Sequence, residues 1–560
     1  MGDSALPRLK AWARQDTVLK HHTLQRGAAA GPPFQGGNPP TMTVLWTAWP
    51  FALLLAAACH GAPVEPCPSP RAAGIAAQQA APVARPSPFD SVFAAAGAEF
   101  HVPPALLAGV GWAETRWQMV QGAEEFPGRP AAFGVMALRG AALERGAALA
   151  GVTLQDARRD PVANIRAAAA LLDAYASEAG VARERMEQWS AVVARYGEIG
   201  IPTAQAAYLG QVDRGVALAG ARPGLAVGSA ARAACPPSPD TGALDYPQAI
   251  WRPSPNFDQR PTDATGALHM VIIHTCESNY AGCWSWLVNS VSQASAHYVV
   301  DEDGAEVSQL VRERDRAWHI AALYDCTLNR RHDCWRNDVP SNHFTVGIEH
   351  AGFASQASFP AAQLDRSAAL VCDVTRDRGI PRDWQHIVGH GQLQPANRTD
   401  PGPNWPWIAY LHRVQAWCDE VVVDDSVQFN DAAVAAVSVA AAWTATDTTP
   451  DYYGGGYRWA PTQPAATDAA VFSFLVTAAG SRTLDARWTS GTNRSPQAKY
   501  AVITSAGVTL ATVPVDQRTG GGSWHALGTW TFPAGWNRVT LLRRDASGAV
   551  VVADAVRVRE

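Results

Sequence analysis

The sequence predicts a multidomain protein: an all-α domain, an α/β domain with a mixed central sheet, and a C-terminal all-β sandwich. Three observations carry this reading. The chain has 560 residues, several times what one hydrophobic core usually organises, since domains run to about 100–200 residues. Its pattern changes from helix after helix, through alternating strands and helices, to short alternating strands set off by Gly, Asn and Ser turns. Pro- and Ala-rich stretches separate the first two of these regions from what precedes them.

Taken in order, residues 1–41 are expected to be unstructured or to precede the true start, because Met42 stands immediately before the apolar run 44–58. That run is shorter than a membrane span, so 42–59 reads as an export signal. The small residues before Cys59 resemble a lipoprotein cleavage box, with lipidation of Cys59 and ordinary signal cleavage both open. Residues 60–88 read as a linker, 89–228 as the helical domain and 229–248 as a second linker opening on Cys235-Pro236-Pro237. In 249–424, Met270 to Thr275 is apolar and β-branched, Tyr298 to Leu310 folds back at Glu302-Asp303-Gly304, and Phe344 to Glu349 alternates. Helical spacing returns at Ala361 to Asp377 and Trp407 to Val421. Residues 426–560 alternate as in a β-sandwich, for example Ala470 to Thr477, Leu484 to Trp488 and Arg538 to Arg543.

Composition narrows the function. With 47% hydrophobic and 17% charged residues, 46 Gly and 40 Pro, globular modules on connectors fit better than a disordered or fibrous chain. A net charge of −5 gives no drive toward nucleic acid or an anionic membrane. Lysine occurs only at Lys10, Lys20 and Lys499, so a cation in a central site must be Arg or protonated His. Nine cysteines fit an oxidising compartment. Cys276 with Cys283 and Cys326 with Cys334 are spaced to close short loops, Cys372 and Cys418 to staple two helices, and Cys67 and Cys235 flank the helical domain; connectivity stays open.

His274 ends one apolar strand, His390 follows another at Ile387-Val388-Gly389, and Asp400 lies in Asn397-Arg398-Thr399-Asp400-Pro401-Gly402-Pro403. Two imidazoles and a carboxylate suit a zinc ion that keeps its fourth position for water, the mark of a hydrolytic site. Glu349 is the lone carboxylate of an apolar strand, where a general base would be placed.

The motifs VIIHT around His274, SAHYVVDEDG from Ser295, RAWH ending at His319, VGIEHAG from Val346 and GHGQLQPANRTDPGPNW from Gly389 resemble the zinc N-acetylmuramoyl-L-alanine amidases related to peptidoglycan recognition proteins. The resemblance implies zinc ligands His274, His390 and Asp400, a catalytic Glu349, and cleavage of the amide joining N-acetylmuramic acid to L-alanine in peptidoglycan. Arg398 stands where many members carry an oxyanion-stabilising lysine, and Ala296 where some carry tyrosine. His297, His319 and His350 are expected as supporting or substrate contacts. A non-hydrolytic peptidoglycan-binding or scaffold protein is the alternative.

In the helical domain, Leu107, Val110 and Glu114 share one helix face after Pro103-Pro104, and a desolvated Glu114 is a candidate general acid. WAETRW, AAFGVMAL, DPVANIRAAAALL and VVARYG resemble lysozyme-like lytic transglycosylases, with departures at Thr115, Ala137 and Gly197. In the last domain, DYYGGGYRW, ARW and VADAV resemble the golvesin or xanthan-lyase-type sandwich, which implies non-catalytic binding. Tyr452, Tyr453 and Trp459 are candidates for stacking on sugars, or for the core.

Overall fold

The computed structural model describes residues 84–126, 128–226 and 244–560. The export segment, Cys59, Cys67 and Cys235 lie outside them. No helix among the described residues is long and apolar enough to cross a membrane.

The first region packs α1 (Asp90–Phe100), α2 (Pro104–Thr115), α3 (Gly140–Ala150), α4 (Leu154–Arg159), α5 (Pro161–Glu178), α6 (Ser190–Tyr196) and α7 (Pro202–Leu218). Pro opens α2, α5 and α7, where its fixed φ suits the first turn and its missing N–H costs nothing. Asp160 caps α5 by accepting from the Ala163 N–H. The region is not all-α as expected: β1 (Val120–Gln121), β2 (Ala132–Gly134) and β3 (Leu138–Arg139) form a small antiparallel sheet. Buried Asn164 of α5 holds it, accepting from Met136 N–H at 2.8 Å and donating to Phe133 carbonyl at 3.0 Å. Gly134, at φ +78°, leaves room for that amide, because a Cβ there would meet it at 2.1 Å.

The central region is a six-stranded mixed sheet. Its strands are β4 (Ile250–Trp251), β6 (Met270–Thr275), β7 (Tyr298–Val300), β8 (Val307–Gln309), β10 (Thr345–His350) and β11 (Ile387–Gly389), ordered β11-β6-β10-β7-β8-β4. A separate two-stranded ribbon pairs β5 (Phe257–Gln259) with β9 (Asp315–Ala317). The expected hairpin forms between β7 and β8, turning at Gly304. Strands β11, β6, β10 and β7 are mutually parallel, and the residues of β6 and β10 are buried throughout, which explains their unbroken apolar and β-branched character. Helix α8 (Tyr280–Leu287) and the longer α9 (Ala361–Arg378) and α11 (Trp407–Trp417) flank the sheet, with the short α10 (His390–Leu393) between the last two in sequence. Disulfides join Cys276 to Cys283, Cys326 to Cys334 and Cys372 to Cys418, the last tying α9 to the end of α11.

Two regions expected as separate domains share one core. Phe93, Leu107, Val110 and Met136 belong to the same apolar cluster as Tyr280, Trp284, Leu287 and Val299, so the helical region is seated on the central one by the hydrophobic effect.

The expected helix Trp407 to Val421 stops at Trp417. Asp419 turns through φ +54°, and the β-branched run that follows becomes β12 (Glu420–Asp424). That strand belongs to the last region, pairing with β23 (Ala555–Arg559) in a four-stranded sheet. A five-stranded sheet forms the other layer of the sandwich. Between the layers lie Phe472, Phe474, Leu484, Val539, Leu541 and Val556. Tyr453 is buried and packs with the central region's core, not on a surface for sugar.

Asp383 and Arg487 join the central region to the sandwich as an ion pair of 3.0 Å, 0% and 2% exposed. Removing one partner strands the other charge away from water. Arg487→Met is expected to lower unfolding stability by about 3–5 kcal/mol in urea titrations; a loss below about 1 kcal/mol, as for exposed pairs, would show that the pair does not hold the junction.

Candidate active site

Parallel pairing brings the site together. His274 lies in β6 with Glu349 of β10 directly beside it in register. His390 immediately follows β11, on the other side of β6. The loop at Asp400 returns over this end of the sheet, and the Gly391 N–H donates to the Asp400 carbonyl at 2.8 Å. His274 Nδ1 lies 3.0 Å from His390 Nδ1, and Asp400 Oδ2 lies 3.2 Å from both.

Hydrogen-bond partners fix the tautomers. The Thr345 hydroxyl donates to the Ser341 carbonyl, so its oxygen accepts from His319 Nε2 at 3.1 Å. His319 Nδ1 is then an acceptor for His274 Nε2–H at 3.0 Å, which leaves a lone pair on His274 Nδ1. His390 Nε2 faces the Gln394 carbonyl oxygen at 3.2 Å, which likewise turns a lone pair on Nδ1 inward. Two lone pairs and a carboxylate oxygen at these spacings match the separations of about 3.3 Å that zinc–nitrogen bonds of about 2.0–2.1 Å require. The residues therefore fit a tetrahedral cation, and Asp400 Oδ1, buried without a hydrogen-bond partner, fits one as well. Without a cation, burial works against protonation of His390, yet Asp400 and Glu125 outweigh it and push that imidazole up to about 10. Burial and the neighbouring His390 charge press His274 down to about 4.

Glu349 is buried, with Oε2 unpartnered. Burial first, then the carboxylates of Glu125 and Asp400, raise its proton affinity well above the usual range. Arg398 reaches the site from the Asp400 loop, but its guanidinium is engaged: Nε lies 3.3 Å from Glu125 Oε1 and Nη2 donates to the Glu125 carbonyl at 2.9 Å.

Glu125, from the helical region, is the residue sequence reasoning missed. Its Oε1 lies 3.3 Å from His390 Nδ1, and it forms a four-residue group with His274, His390 and Asp400. Burial, then repulsion from Asp400, lifts it to about 7. Glu277 supports the same loop, accepting from the Ala123 N–H at 3.0 Å and the Ala354 N–H at 2.7 Å; burial pushes it up to about 8. Nothing in the sequence ties a loop glutamate to a histidine 265 positions on; only docking of the two regions does. Cys276 and Cys283 near Glu349 are no ligand set, since their sulfurs are bonded to each other.

The other expected residues sit differently. His297 is fully buried, with Nδ1 accepting from the Gly347 N–H and Nε2 against Arg260 at 2.8 Å. His319 stands behind His274. Both nitrogens of each ring are hydrogen-bonded inside the protein, which suits the supporting role among the two expected for them. His350 bonds the His274 carbonyl at 2.9 Å and Ser367 at 2.6 Å. Glu114 is buried at the junction, accepting from Tyr208 at 2.6 Å and from Asn279 of the central region at 3.0 Å, and burial raises its pKa. The cavity beside it measures about 20 Å³, room for one water and not for a sugar.

Residues 264–403 match the N-acetylmuramoyl-L-alanine amidase domain family, and residues 426–560 match the golvesin C-terminal domain family. Over 190 residues the chain is 33% identical to N-acetylmuramoyl-L-alanine amidase A of Achromobacter lyticus, covering 31% of this chain and 96% of that protein. The chain belongs to the N-acetylmuramoyl-L-alanine amidase family. The chain is also 26% identical over 176 residues to 1,6-anhydro-N-acetylmuramyl-L-alanine amidase AmpD of Citrobacter freundii, covering 28% of the chain and 86% of that protein. Its similarity to the xanthan lyase of a Bacillus species, 34% identity over 225 residues, spans 39% of the chain but 22% of that enzyme.

Behind His274, Gly347 is needed for close approach: a Cβ there would meet the His319 ring at 2.4 Å. Supports of metal-ligating histidines typically govern affinity by about 10–100-fold. His319→Ala is expected to weaken zinc binding by about that factor in competition with a chromophoric chelator; unchanged affinity would mean that His319 does not orient His274.

Proposed function

We propose that the protein is an exported zinc enzyme that hydrolyses the amide between N-acetylmuramic acid and L-alanine in peptidoglycan. The observation that carries this reading is the convergence of His274 Nδ1, His390 Nδ1 and Asp400 Oδ2 beside buried Glu349, in a chain of this family. Zinc held by those three residues would supply a Lewis acid for the carbonyl and lower the pKa of water at the same centre.

The chain's own residues account for the proton movements. Glu349 Oε2, free of other partners, takes the proton of the attacking water and later delivers it to the departing amine of L-alanine. Its proton affinity is raised, the direction suited to a carboxyl that must also carry the proton to the leaving amine. Arg398 offers a guanidinium to charge developing on the carbonyl oxygen, once released from Glu125. The sandwich, which holds no candidate metal group among its described residues, serves as a binding module.

The docked helical region gives this reading a second part: it covers the amidase. Glu125 stands where a fourth ligand would, Arg398 is turned onto it, and Gln121 N–H and Arg129 bond Ser355 and Ser278 of the central region. Substrate requires that Glu125 withdraw, and the fraction of open molecules then scales the apparent affinity. A peptidoglycan-binding protein without turnover remains the competing reading, favoured by this coverage and disfavoured by Glu349.

Mass spectrometry of digested peptidoglycan separates the outcomes. Chelation is expected to stop release of stem peptides and added zinc to restore it; full activity in metal-free protein would refute the zinc mechanism. Glu349→Ala should keep its zinc yet slow turnover by about two to four decades, whereas an unchanged rate removes Glu349 from the proton path. Glu125→Ala is expected to raise kcat/KM by about tenfold if some tenth of the molecules are open; a fall would make Glu125 part of the catalytic apparatus instead of its cover. No anhydro sugars are expected, and their appearance in wild type but not in Glu114→Gln would restore a glycan-cleaving role to Glu114.

A further inference from the structure

At the opposite end of the same strands lies a second cluster of histidines. His269 immediately precedes β6 and His386 immediately precedes β11, while His274 and His390 sit at the far ends of those strands. At about 3.3 Å of rise per residue, five residues of strand separate the two clusters by roughly 16 Å. The third histidine, His332, and its neighbour Asp333 lie inside the loop closed by the Cys326–Cys334 disulfide.

The three imidazoles point the same nitrogen at one another. His386 Nε2 lies 3.2 Å from both His269 Nε2 and His332 Nε2. Asp333 Oδ2 lies 2.7 Å from His269 Nε2, and Oδ1 lies 3.6 Å from His332 Nε2. Asp333 Oδ2 is buried without a hydrogen-bond partner of good geometry. Behind His386, Nδ1 is hydrogen-bonded to Asp383, which is itself held by Arg487 at 3.0 Å and by the Gln385 N–H at 3.1 Å. A carboxylate on Nδ1 draws the ring proton to that side and leaves Nε2 as a lone pair. This carboxylate–histidine arrangement is the usual support of a metal ligand.

We propose that His269, His332, His386 and Asp333 form a second metal site, for a divalent transition ion of the zinc class. Three imidazoles and a carboxylate match that class better than calcium or magnesium, which take oxygen ligands. The three imidazole nitrogens lie close enough together to share one ion, and Asp333, already 2.7 Å from His269 Nε2, closes the fourth tetrahedral position by a small side-chain shift, so the site is structural and not hydrolytic. It pins the disulfide-closed loop to the starts of β6 and β11, and through Asp383 and Arg487 it is joined to the sandwich. The site borders an open cavity of about 590 Å³, and His269 is 31% exposed, so an ion can enter from solvent. The proposal does not rest on the catalytic reading, since the two ligand sets share no residue.

Zinc content of purified full-length protein tests it, measured by inductively coupled plasma mass spectrometry after dialysis against limiting zinc. Wild type is expected to hold two equivalents, His332→Ala and Asp333→Asn one each, and Asp400→Ala one. Asp333→Asn nearly preserves shape, and circular dichroism identifies any variant that fails to fold. As a check independent of variants, metal-stripped wild type titrated with cobalt should show tetrahedral absorption saturating at two equivalents. Wild type holding a single equivalent that Asp400→Ala removes would overturn the second site while leaving the catalytic one. Two equivalents retained in folded His332→Ala and Asp333→Asn would overturn the ligand assignment.

Discussion

The parallel pairing of β6 with β10 and β11 is the constraint on which the rest depends. Because the three strands run the same way, their matching ends lie along one edge of the sheet, and residues a hundred positions apart become neighbours. His274 and Glu349 face each other in register, and His390 follows the next strand. The same parallelism gathers His269 and His386 at the opposite edge. An antiparallel pairing of β6 with β11 would have sent His390 to the far end from His274. Burial along β6 and β10 makes that register strict, since a slip by one residue would turn His274 and Glu349 toward the other face of the sheet.

Keeping these groups out of water has an electrostatic consequence. Glu125, Glu277, Glu349 and Asp400 are all buried around two histidines, and each carboxylate raises the proton affinity of others. Buried charge of one sign is unfavourable unless something compensates it. Two kinds of compensation are present: the cationic groups His390 and Arg398, and backbone N–H groups aimed at Glu277. The donor set also fits a divalent cation, which would relieve the repulsion at its centre. Activity and local stability are therefore coupled through the same carboxylates.

Docking of the helical region adds a layer the fold of the central sheet does not require. Its helices share an apolar cluster with α8 and β7, and that packing carries Glu114 and Glu125 to the junction together. Glu114 becomes a hydrogen-bonded carboxyl, and Glu125 reaches His390. Two carboxyls only eleven residues apart in the sequence so acquire different surroundings. On the far side, Asp383 links Arg487 of the sandwich to His386, so the central sheet transmits contacts from one neighbour to the other through short, buried elements.

Much of this was legible from sequence by itself. Strand β6 was readable from a β-branched apolar run, α9 from helical spacing, and the zinc-ligand candidates His274, His390 and Asp400 from their motifs, because local periodicity and residue chemistry are properties of neighbouring residues. Three features needed the tertiary structure. The small sheet in the helical region is built on strands of two or three residues, too short to show alternation. The end of the expected helix at Trp417 was hidden because Val421 to Val423 satisfy helical and strand patterns alike until β23 pairs with them. The roles of Glu125, His319, His332 and His386 depend on contacts between segments far apart in the chain. Residue type determines what a side chain can ligate or protonate, whereas only packing decides which other groups it meets, and burial then sets which of its charge states survives.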